Sequence, residues 1–132
     1  MDTIKTLGKL RVADGQKRLI VNAPPELAKL WKGVPHDDRP VAKNKGYYDF
    51  VVVFAKRQVE LEQLLRKIKG QGKFDCLFWA CYPKGTGEIK SDIRRETVWK
   101  AFEIVALRTV TAVSIDDTWS ALRGRPAELA PA

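Results

Sequence analysis

The residues best suited to chemistry gather in the second half of the chain. Lys84-Gly85-Thr86-Gly87 sets a lysine and two glycines directly after an apolar run. Glycines expose backbone amides, and amides beside an ammonium group can cradle a phosphate. A plain strand-to-helix loop uses the same residues, however, and the Lys-Ser/Thr ending of a nucleotide-binding loop is missing. Ser91 and Asp92 follow, suited to capping a helix or to meeting a polar ligand, with Arg94 and Arg95 behind them. Asp116-Asp117 offers two carboxylates for acid/base work, but no nucleophile accompanies them and a turn needs the same pair. The one histidine, His36, lies in a segment bounded by Pro35 and Pro40 and reads as surface. Cys76 and Cys81 fall on one strand about 16 Å apart and on opposite faces. Too distant for a disulfide, they read as small core residues, and with one histidine they make no metal-ligand set.

Elements that would position these groups follow from hydrophobic spacing. Leu19-Ile20-Val21 reads as a strand ending at Asn22-Ala23-Pro24-Pro25, where a proline suits a helix's first turn. Glu26 to Lys32 then forms a helix closed by Gly33, and one short edge strand is expected near Val41. The run from Tyr47 to Phe54 is apolar without alternation at its core, the mark of a strand covered on both faces. Leu61, Leu64, Leu65 and Ile68 keep helical spacing, with Glu62 and Arg66 paired on the wet side. Phe74 to Tyr82 is a further buried strand. Ser91 or Asp92 caps a helix carrying Val98, Ala101, Phe102 and Val105. Strands at 109–115 and 119–124 close the chain as an antiparallel hairpin at or near a sheet edge, and strands 18–23, 49–54 and 75–81 are expected to run parallel.

Length and composition suit a single domain over residues 1–132, with a core at about 7–125 and a frayed tail at 126–132. Hydrophobic residues are 45% and charged residues 30% of the chain, the balance of a globular protein rather than a disordered one. No apolar run is long enough for a bilayer, so a cytoplasmic location is expected and no membrane partner. The net charge of +8 is lopsided, since residues 1–73 hold 16 Lys/Arg against 8 Asp/Glu whereas residues 74–132 hold 8 against 8. That asymmetry points to weak, sequence-indifferent polyanion binding through residues 1–73 or simply to a solubilising surface. Trp31, Trp79, Trp99 and Trp119 read as packing residues, because none is interleaved with arginine as on a nucleic-acid face.

Val21-Asn22-Ala23-Pro24, Asp49-Phe50-Val51-Val52, Trp79-Ala80-Cys81-Tyr82-Pro83-Lys84, Ser91-Asp92-Ile93 and Ile115-Asp116-Asp117-Thr118-Trp119-Ser120 together carry a likeness. The span from Leu7 to Arg125 resembles a family of small bacterial proteins known only as domain of unknown function number three thousand and fifty-two, and no activity is implied by it. The layout is also similar to a shortened methyltransferase sheet. It departs where such a sheet has its glycine-rich cofactor turn, because Asn22-Ala23-Pro24-Pro25 has no glycine and two residues without an amide donor. The expected fold class is therefore α/β, a Rossmann-like three-layer sandwich with a mainly parallel central sheet of about five to six strands and a C-terminal antiparallel hairpin. Open sheets of this kind bind at the carboxyl ends of their strands, which gathers Asn22, Lys84, Ser91, Asp92, Arg95, Asp117 and Trp119 as candidate ligand residues. The leading functional expectation is a non-catalytic binding or regulatory module for an anionic small molecule, with no cofactor. A small transferase-like enzyme acting on a nucleotide or other anionic substrate is the alternative, and a weak nucleic-acid binder the third.

Overall fold

A computed structural model describes residues 2–130. Its core is a five-stranded sheet ordered β1-β2-β3-β5-β4, formed by β1 (Arg18–Val21), β2 (Tyr48–Phe54), β3 (Gly72–Pro83), β4 (Leu107–Ser114) and β5 (Trp119–Pro126). β1, β2 and β3 are parallel neighbours as expected, with Val21 opposite Val53 and Val53 opposite Ala80. Beyond β3 the pattern changes. β5 inserts between β3 and β4 and runs antiparallel to both. The sheet is thus mixed rather than mainly parallel. A strand that returns through the short turn at 115–118 can pair with β4 on one side, and its other edge then completes the open hydrogen-bonding edge of β3.

Helices α1 (Thr3–Lys9) and α2 (Ala28–Trp31) cover one face, and α3 (Gln58–Ile68) and α4 (Arg95–Phe102) the other. Side-chain alternation along β2 divides the core between the two layers. Val51 and Val53 meet Leu61, Leu65, Val98 and Phe102, while Phe50, Val52 and Phe54 meet Leu10, Leu27, Leu30 and Trp31. Each such side chain contributes about 1.5–3 kcal/mol by leaving water. The helical spacing of Leu61, Leu65 and Ile68 places them inward as expected, and Glu62 meets Arg66 at 3.8 Å on the outside. Cys76 and Cys81 are free and belong to opposite faces.

Local readings differ in several places. No strand forms near Val41. The segment makes a 3-10 turn at Ala42–Asn44, and Asp37 instead forms a single bridge beside Leu19, covering the outer edge of β1. Arg94, not Ser91 or Asp92, is the N-cap of α4, its amide donating to the Thr97 hydroxyl. Arg125 and Pro126 are strand residues, locked by the bidentate contact of Arg125 with Asp75 at 2.9 and 2.7 Å, and a turn follows at 127–129. The remainder of the expected frayed tail, 131–132, lies outside the described residues. No helix among the described residues is long and apolar enough to cross a membrane.

Candidate functional site

The carboxyl ends of β1, β2 and β3 open on one edge, and the turn into β5 rises beside them. Asn22, the residue after β1, has φ +62°, a left-handed conformation that asparagine tolerates better than most residues. Its side-chain amide donates to the Phe54 carbonyl at 2.8 Å, tying the ends of β1 and β2 together. Pro24 and Pro25 follow, and Pro25 starts a 3-10 turn into α2. Between these elements lies a cleft of about 210 Å³ lined by Asn22, Pro24, Phe54, Lys56, Glu60 and Trp119. A second recess of about 450 Å³ shares Asn22 and Glu60 and continues past Gln63 and Lys67 along α3.

Trp119 and Trp31 stand edge-on to Phe54, with ring centroids at 5.6 and 6.1 Å. Such edge-to-face pairs add about 0.5–1.5 kcal/mol to the burial of their rings. Trp119 is 1% exposed, yet its indole N–H has no acceptor among the described residues. A buried donor left unmet costs about 1–3 kcal/mol, a cost offset here by the aromatic packing around Phe54. Lys56 is exposed at the rim, and its backbone amide donates to the Glu60 carboxylate at 2.9 Å.

All seven sequence-derived candidates stand toward this edge, but in separate groups. Asn22 and Trp119 line the cleft. Lys84 belongs to the hairpin, where its amide donates to the Thr118 carbonyl at 2.7 Å and its ammonium group to the Ser114 hydroxyl at 2.6 Å. Asp117 is exposed in the same turn, which the Asp116 carboxylate shapes by accepting from the Thr118 and Trp119 amides. Asp92 accepts from the Gln58 amide at 2.8 Å and so caps α3. Ser91 accepts from the Ile93 amide at 3.0 Å, and Arg95 is exposed at the start of α4. Lys56 and Glu60 were not singled out from the sequence. Their signal was available, because they directly follow the most apolar strand and therefore fall at its carboxyl end. Among the described residues no group of three or more His, Cys, Asp or Glu side chains is placed to hold a metal ion.

This architecture is that of a Rossmann-like α/β domain, in which the antiparallel β5 and the edge strand β4 complete a parallel three-stranded half. The chain is similar in shape to the crystal structure of a SAM dependent methyltransferase from Aquifex aeolicus, at 14% identity and TM-score 0.59, covering 93% of this chain and 88% of that one. It is also similar to a SAM dependent methyltransferase from Archaeoglobus fulgidus, at 11% identity and TM-score 0.53, covering 93% and 92%. At such identity the likeness is one of fold. No protein-family model and no curated protein sequence matches the chain.

Proposed function

We propose that the protein is a non-catalytic binding module of methyltransferase-like fold that takes a small anionic ligand at the carboxyl edge of its sheet. The cleft at the carboxyl ends of β1 and β2, with the exposed Lys56 at its rim, carries this reading. Lys56 at the rim would supply the charge opposite to the ligand's anionic group. Lys84, just after β3, and Asp117, in the neighbouring β4–β5 turn, would flank the ligand, and Ser91, Asp92 and Arg95 would border it from the α4 side. The motif likeness to the uncharacterised bacterial family adds no activity to this reading.

The second reading is a transferase-like enzyme, favoured by the fold likeness to two SAM dependent methyltransferases. Against it stands the local chemistry of the first strand's end. Asn22 spends its amide on Phe54, and Pro24 and Pro25 have no N–H to give. Calorimetric titration of S-adenosylmethionine, alongside a panel of small carboxylates and phosphates, separates the two. The binding-module reading expects no saturable heat from S-adenosylmethionine. It also expects a panel anion whose affinity falls in Lys56→Ala at unchanged fold. Low-micromolar affinity for S-adenosylmethionine would reject it in favour of the enzyme.

A further inference from the structure

At the opposite end of the sheet, the amino ends of β1 and β2 frame a polar recess of about 520 Å³ that includes Lys17, Arg18, His36, Asp37 and Lys43 in its lining. Arg18 is its distinctive member. Although only 9% exposed, it has no carboxylate partner among the described residues. Its guanidinium donates to the Pro35 carbonyl at 3.0 Å, to the Gln16 side-chain oxygen at 3.3 Å and to the Ala13 carbonyl. Those acceptors carry partial charges only, so a full positive charge stays largely uncompensated where water is scarce. They also use three bonds of a group with five N–H donors.

The single carboxylate in the recess is turned to other work. Asp37 accepts from the Tyr48 hydroxyl at 2.5 Å and from the Asn44 amide at 3.0 Å. Lys17 donates to the Asn44 side-chain oxygen at 3.2 Å, and the Tyr48 hydroxyl accepts from the Val41 amide at 3.1 Å. Two of the cationic groups are therefore held in place before anything binds, which lowers the ordering cost of association. Lys17, Arg18 and Lys43 oppose Asp37 alone, leaving the recess positive.

We propose that this recess is a second ligand site, independent of the carboxyl-edge reading, that receives the terminal phosphoryl group of a compact ligand such as a diphosphate. A guanidinium fork matches phosphate oxygens in pairs, and lysines on the rim complete the neutralisation. A nucleic-acid backbone crossing the surface would meet Lys17 and Lys43 more readily than Arg18, a residue only 9% exposed. A terminal phosphoryl group can enter.

The test is calorimetric titration of inorganic pyrophosphate into the full chain at physiological salt, with a short single-stranded oligonucleotide as the second probe. Lys43→Glu removes a rim charge, and Lys100→Glu makes the same charge change on the exposed side of α4, across the sheet. Circular dichroism confirms that both variants fold. Saturable one-to-one pyrophosphate binding is expected, weakened about tenfold or more by Lys43→Glu but no more than roughly twofold by Lys100→Glu. Arg18→Lys, which keeps the charge and loses the fork, should weaken it as well. Unsaturable heat, equal weakening by Lys43→Glu and Lys100→Glu, or binding of the oligonucleotide alone would overturn the proposal.

Discussion

Asn22 and Phe54 are joined across the ends of two parallel strands by one hydrogen bond of 2.8 Å, from a side-chain amide held at φ +62° to a backbone carbonyl. The bond fixes the floor of the carboxyl-edge cleft. Replacement with glycine keeps the left-handed backbone and removes the bond, so Asn22→Gly should cost about 0.5–1.5 kcal/mol in urea unfolding. Asn22→Ala should cost roughly 1 kcal/mol more, because a Cβ in that conformation is strained. Equal stability of the two variants would show that the left-handed backbone contributes nothing.

Asp92 caps α3 from a loop 34 residues further along the chain. Asp92→Ala should therefore lower stability by about 0.5–2 kcal/mol, the usual cost of losing a cap. Amide exchange should accelerate at the start of α3 rather than of α4. Exchange unchanged at Gln58, with loss of protection at Arg95 to Val98, would contradict the assignment.

Three carboxylates have a pKa held below the ordinary range, each for an identifiable reason. Asp37 accepts from Tyr48, Asp49 accepts first from the Lys17 amide and then from Lys73, and Asp75 accepts from Arg125. A depressed folded pKa means that the stabilisation is present above the unfolded value of about 3.9 and vanishes as the pH falls through the folded one. The melting temperature should thus drop as the pH falls below about 4, and Asp49→Asn should make that slope shallower. An unchanged slope would remove Asp49 from the account.

Both thiols should be slow to react in the folded chain. Burial pushes the Cys76 thiol up to about 11 and the wholly buried Cys81 higher still. At pH 8 about a thousandth of Cys76 is thiolate, so iodoacetamide should label neither residue at the rate of a free thiol. Adding denaturant should release both. Rapid native labelling of Cys76 would show that the amino end of β3 opens.

Alternation and helical spacing made much of the fold legible beforehand. Residues 50–54 have no polar member, so whichever way that strand turns it presents apolar groups to both faces, and helices must cover each. Leu61, Leu65 and Ile68 likewise define an inward stripe whatever surrounds them. Asn22 before two prolines marks a strand end that gives few amides, from residue types alone. Pairing between distant segments is another matter. β5 lies against β3 because an antiparallel return satisfies the open edges of both β3 and β4, and local periodicity records a strand's faces but not its neighbours. Asp92 was legible as a cap, yet only the packing of α3 beside the 91–94 loop decides that it caps Gln58. Similarly, Arg18 reads as one more surface cation in a basic half. Its burial comes from the 13–16 and 35–37 segments closing over it, and hydrogen bonds made at that range leave no mark in the spacing of residues along the chain.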